Sequence, residues 1–239
     1  MTRPRKRFEE LDWRETPIGE ISLRRRLEPT LQVDVYEVRL GDDYLMSSLF
    51  TVAEEALTTL GLAAVDHEHL DVVVGGLGLG YTAGAALADP RVASLHVVEA
   101  LEAVIDWHEQ RLLPLSPALV EDPRCHLVHS DFFALVAAGA GFGSGTPAKV
   151  DAVLLDIDHT PTHVLNDAHA PFYSPAGLSR LADRLNPRGV FALWSDDPPD
   201  NAFITVLREV FGTAEGHLVE FANPLTGGTS SNSVYVAHL

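Results

Sequence analysis

The sequence predicts an α/β protein built on a mostly parallel sheet, and three observations carry that prediction. Apolar runs recur along the chain at Asp71–Val74, Ser94–Glu99, His126–His129, Asp151–Asp156 and Val190–Trp194, with helical segments between them. The first, fourth and fifth runs are apolar almost throughout, which is how a strand covered on both faces reads. A glycine-rich turn, Gly75-Gly76-Leu77-Gly78-Leu79-Gly80, follows the first run and leads into a helix at 81–88.

The remaining elements follow in order. Residues 17–40 contain two short alternating stretches interrupted at Glu28-Pro29-Thr30, which read as a β-hairpin or small sheet, with Leu31, Val33 and Val35 on one face. Residues 49–60 place Leu49, Val52, Ala56 and Leu60 near one side of a helix, and residues 101–113 do the same with Leu101, Val104, Ile105 and Leu112. Ser174-Pro175 is an N-cap followed by a first-turn proline and opens a helix carrying Leu178, Leu181 and Leu185. A helix at about 201–211 and two strands, 217–221 and 233–238, close the chain. The expected division is a small N-terminal β extension, residues 1–48, and a larger domain, residues 49–239. Residues 139–148, GAGFGSGTPA, read as a flexible surface connection. Residues 157–173 are long for a strand-to-helix link and carry three histidines and two aspartates, which suggests a binding loop or lid.

Composition narrows the function classes. The chain has 239 residues, 46% hydrophobic and 21% charged, which is globular and excludes disorder. Its net charge of −17 is unevenly spread: residues 1–39 hold nine Lys/Arg against eight Asp/Glu, and residues 40–239 hold eight against 26. A body this acidic repels phosphate backbones, so nucleic acid is not an expected partner; cationic small molecules or metal ions are. No run of 18 apolar residues is present, and the basic start has no apolar segment behind it, so neither a membrane span nor a secretory signal is expected. Cys125 is the only cysteine, which excludes an internal disulfide and suits a reducing, cytoplasmic setting.

The glycine turn sits between strand and helix, and Glu99 ends the next strand, nineteen residues beyond Gly80. A carboxylate there can hold a ribose diol, so the pair points to an adenosine-containing cofactor. Asp131 ends the third strand, where it could receive an adenine amino group, and Phe132 beside it could cover an adenine face. The spacing also satisfies a dinucleotide fingerprint, so an NAD-dependent oxidoreductase stays open, as does a non-catalytic adenosyl-binding module.

Gly76-x-Gly78-x-Gly80, Glu99, Asp131 and Asp156 together resemble the class I S-adenosylmethionine methyltransferase fold: a seven-stranded Rossmann-like, mostly parallel sheet with a reversed last strand. More closely, residues 17–239 resemble the spermidine synthase (polyamine aminopropyltransferase) family, including the segment FYSPAGL at 172–178. The resemblance implies Glu99 on the ribose, Asp131 on adenine, Asp156 as the catalytic carboxylate, and a homodimer. Three departures stand out. Gly78 replaces the aspartate that meets the donor's free amine in that family; His159 replaces a second loop aspartate, with Asp158 one place earlier; and Ala53-Glu54-Glu55 replaces Tyr-His-Glu, leaving Glu55 as the match.

Acids also gather at two strand ends: Asp156 and Asp158 after the fourth, Asp196 and Asp197 after the fifth. Carboxylates brought to one mouth can share protons, bind a cation or bind a metal. Asp156 could anchor and deprotonate an ammonium, with Asp158 and His159 beside it; Glu55, His163, Tyr173, Asp196 and Asp197 could contact the acceptor. Asp156, Asp196 and Asp197 could alternatively hold magnesium, as in metal-dependent O-methyltransferases. The resulting expectation is a transferase using S-adenosylmethionine or its decarboxylated form. The missing aspartate at Gly78 tilts it towards methyl transfer to a small amine or hydroxyl compound, with aminopropyl transfer to a polyamine as the alternative.

Overall fold

The computed structural model describes residues 7–239; residues 1–6 of the expected N-terminal extension lie outside it. Four strands come first: β1 (Phe8–Thr16), β2 (Gly19–Glu28), β3 (Val33–Leu40) and β4 (Asp43–Ser47) form an antiparallel sheet in that order. The small sheet expected from residues 17–40 is therefore one strand longer at each side. Leu31 falls in the turn before β3 and Val33 is exposed; the buried positions are Val35 and Val38.

After α1 (Val52–Ala63) the chain alternates strand and helix: β5 (Leu70–Gly75), α2 (Tyr81–Ala88), β6 (Val92–Glu99), α3 (Glu102–Glu109), α4 (Ser116–Glu121), β7 (Cys125–His129), α5 (Phe132–Ala138), β8 (Val150–Leu155), α6 (Pro175–Ala182), β9 (Leu185–Ser195), α7 (Asn201–Phe211), β10 (Thr213–Asn223) and β11 (Gly228–His238). The seven strands from β5 onward form one sheet, ordered β10-β11-β9-β8-β5-β6-β7. β5, β6, β7, β8 and β9 run parallel, and β11 pairs antiparallel with both β9 and β10. This is the expected α/β class with a reversed last strand.

Burial explains why the runs are strands. Val72, Val73 and Val74 are all fully buried, but on opposite sides: Val72 and Val74 join the core under α1 and α2, while Val73 joins Val98, Val153 and Phe191 on the other side. Each such side chain contributes about 1.5–3 kcal/mol by leaving water, so a strand buried on both faces is apolar at every position. Ser174 caps α6 as its sequence suggested, accepting from the Gly177 amide at 3.2 Å. The 139–148 connection is anchored rather than loose: Phe142 is 1% exposed and stacks on Phe132 at 5.7 Å.

Two features position a site. The chain runs outward from β5 to β7, then returns to β8 on β5's other side, so the strand order reverses between β5 and β8, where α/β sheets open a crevice. The N-terminal sheet closes over that crevice: Ile21, Leu23 and Val38 share a core with Leu77 and Leu79 of the glycine turn. The Trp107 indole in α3 also donates to Asp12 of β1 at 2.6 Å.

Candidate functional site

A cavity of about 680 Å³ opens at that reversal point. Its floor is the glycine turn, Gly76 to Tyr81, with Asp156 and Ile157 from the end of β8. Tyr44 to Ser47, Phe50 and Glu54 form one wall; His159, Leu165, Trp194 and Asp196 form another; Phe221 and Thr229 to Asn232 reach in from the β10–β11 hairpin. None of these lining residues is Lys or Arg. Phe50 and Phe221 meet across the mouth at 5.7 Å.

The turn is shaped by its glycines. Gly76, Gly78 and Gly80 have φ of +95°, +46° and +90°, which side-chain-bearing residues rarely adopt. A Cβ at Gly76 would strike the Asp156 carbonyl oxygen, so the turn and the end of β8 are fitted to each other. At Gly78 a Cβ would lie 2.7 Å from Met46 Sδ, which places an apolar β4 side chain where the resembled family carries an acid. From below, His108 fixes the turn: its Nε2 lies 2.9 Å from the Gly78 carbonyl oxygen and must carry the proton, because a carbonyl only accepts. Ser116 Oγ lies 3.3 Å from Nδ1, and burial holds the imidazole below its usual pKa, keeping it neutral.

Asp156 is half-buried, and Thr82 Oγ1 donates to its Oδ2 at 2.6 Å. Burial pushes its carboxyl up to about 6, against the pull of that hydrogen bond. Glu54, in the first turn of α1, is raised further, to about 8, by burial and then by the charge of Asp156. The two share the cavity as a coupled pair of carboxyls, both raised above their ordinary range, so their protons are lost in steps that belong to the pair.

The cavity gathers Gly76, Gly78, Gly80, Asp156, His159 and Asp196. Asp196 accepts from Asn232 Nδ2 at 2.8 Å. The other expected residues lie elsewhere. Asp158 is 1% exposed and faces inward, accepting from the Leu165 amide, His169 Nδ1 and the Tyr173 hydroxyl, each at 2.8 Å. It pins the 157–173 loop, and Tyr173 is buried with it rather than open to an acceptor. Glu55 points to solvent and bonds Thr51; its neighbour Glu54 lines the cavity instead. His163 is exposed, its ring 5.0 Å from His159. Asp197 is exposed and outside the lining.

On the adenosine side, Glu99 accepts from the Leu77 and Leu101 amides at 3.0 and 2.8 Å, so it braces the glycine turn. Asp131 caps α5, accepting from the Ala134 amide at 3.0 Å. Phe132 is 2% exposed among Phe133, Phe142 and Phe172, as core rather than as an open stacking face. The fit of an adenosyl donor rests on the left-handed glycine cradle, with Glu99 beneath it. Among the described residues no three His, Cys, Asp or Glu side chains come together as a metal group, and of the three acids considered for magnesium Asp156 and Asp196 line the cavity while Asp197 does not.

No family model matches the sequence. A curated relative, polyamine aminopropyltransferase 2 of Pseudomonas aeruginosa, is 26% identical over 209 residues, covering 81% of this chain; the chain spans 56% of that relative's length. The spermidine synthase of Thermotoga maritima superposes with a TM-score of 0.72 at 17% identity, covering 95% of this chain and 72% of that one. Human methyltransferase-like protein 13, solved with SAH, superposes with a TM-score of 0.56 at 18% identity, covering 78% and 82%. The chain thus has the class I methyltransferase-like fold in its spermidine-synthase-like form, and its sequence is similar to that of a polyamine aminopropyltransferase.

Proposed function

We propose that the chain is a transferase that moves an aminopropyl group from decarboxylated S-adenosylmethionine to a small cationic amine. The observation that carries this reading is the Glu54–Asp156 pair in the cavity of the glycine cradle, where none of the described lining residues is Lys or Arg. The similarity to a polyamine aminopropyltransferase favours this over the methyl transfer that Gly78 suggested. The donor would supply a sulfonium, a leaving group that departs as a neutral thioether.

The chain's own residues then have three tasks. Glu99, Gly76 and Gly80 hold the turn on which the nucleoside lies. Glu54 and Asp156 draw in an ammonium, whose charge favours ionisation of both carboxyls. Asp156 takes a proton from that ammonium, freeing the nitrogen lone pair to form the new N–C bond as the S–C bond breaks. Positioning does much of the rest, since the sulfonium needs little further activation.

The test is product analysis with each donor. Methylthioadenosine released from decarboxylated S-adenosylmethionine and an amine supports aminopropyl transfer. S-adenosylhomocysteine formed from S-adenosylmethionine, with no reaction of the decarboxylated donor, overturns it.

A further inference from the structure

The cavity wall built by β11 is unusual in one respect: Thr229, Ser230, Ser231 and Asn232 all line it, although they are consecutive. Successive strand side chains point to opposite faces, so four in a row can meet one cavity only if the strand presents its edge. The pairing shows why. β11 pairs with β10 from Gly228 to His238, but with β9 only from Ser233 to His238. Beyond Ser195 the chain leaves the sheet: the Asp196 amide donates to the His159 carbonyl oxygen at 2.7 Å, and Ser233 Oγ donates to that of Asp197 at 2.6 Å. On the side away from β10, the edge of β11 at 229–232 pairs with no strand among the described residues and faces the cavity.

We propose that this open edge is an acceptor-specificity subsite, and that it takes an amine whose chain carries an amide group, laid extended along β11. The inference rests on the transferase reading above and names its acceptor class. A free strand edge offers N–H and C=O groups in alternation, and an amide supplies the complement of both, as in strand addition by peptides. One further observation agrees: the side chains along the edge, Thr229, Ser230, Ser231 and Asn232, are uncharged, hydroxyls and an amide. The carboxylate at this end, Asp196, already accepts from Asn232, and it gives a plain diamine its rival claim to the subsite.

The experiment compares putrescine with N-acetylputrescine, which keeps the same diamine spacing, exchanges one ammonium for an amide and is longer by the acetyl group. Acceptor KM is measured by methylthioadenosine release, and acceptor binding by calorimetric titration. The amide should be preferred by about 2- to 10-fold, the worth of roughly one net hydrogen bond. Ser230→Pro and Ser231→Pro are then compared. Because N–H groups alternate along a strand, one substitution removes a ladder bond and lowers Tm, while the other removes a cavity-facing donor and should abolish the preference at unchanged Tm. Equal or tighter binding of putrescine by the unaltered protein overturns the inference, as does a preference that survives both substitutions. Absence of turnover with every amine overturns the aminopropyl reading instead, and the titration ranking still decides the subsite.

Discussion

Asp156 and Asp158 stand two residues apart after the same strand, and the fold gives them opposite lives. Asp156 has one side-chain donor, Thr82, and opens on the cavity; Asp158 has three donors and is sealed. A carboxylate saturated by hydrogen bonds is fixed in place, which suits a brace. One that is half-buried and under-bonded has its pKa raised towards neutrality, which suits proton transfer. Spacing in sequence is equally compatible with both roles; partners and exposure separate them.

The sharpest way to break this contrast is to remove each acid. Asp156→Asn should lower kcat by about 100- to 10,000-fold, the usual worth of a positioned general base, while calorimetry shows donor affinity within a few fold. Retained turnover would take Asp156 out of the chemistry. Asp158→Ala should act on stability, costing about 2–4 kcal/mol in denaturant unfolding, because three donors lose their acceptor together. A loss of kcat at unchanged stability would invert the comparison.

Smaller effects refine it. Glu54→Gln should weaken a cationic acceptor by about tenfold, measured as KM, since one of two anchoring charges is lost. A carboxyl raised in the folded state favours folding only while protonated, so this stabilisation fades as pH rises through about 8. The glutamine variant should therefore have the higher Tm at pH 9 in the absence of ligand. The acid limb of the kcat/KM profile should rise through about 6 in the parent protein, above the ordinary carboxylate range, because burial raises Asp156. Thr82→Val removes the bond that lowers the Asp156 pKa, so its limb should move to higher pH.

Much of the fold was legible because strands buried on both faces write their burial into every position, as in Val72–Val74. Helix α7 at 201–211 buries Phe203, Ile204, Leu207 and Phe211 at helical spacing, and helix α2 at 81–88 follows from the glycine turn before it. The short α4 and α5 carry too few turns to show a period. In the site, the glycine turn was readable because left-handed backbone demands glycine. The choice between Glu54 and Glu55 was not, since neighbours on a helix point about 100° apart and only the helix phase decides. The buried Thr58 and Gly61 share Glu54's side of α1, and they were the available signal. The hairpin wall was invisible for another reason: Thr229–Asn232 is a polar run whose role depends on where β9 stops pairing, a non-local fact.

β11 follows β10 in the chain but lies inside it in the sheet, wedged between β10 and β9. During vectorial synthesis, β9 must wait with one flank unpaired until residues 233–238 emerge. The two rims of the cavity, Tyr44–Ser47 and Thr229–Asn232, also lie far apart along the sequence. The cavity is thus keyed by the later hairpin, and binding competence arrives only when that hairpin has docked.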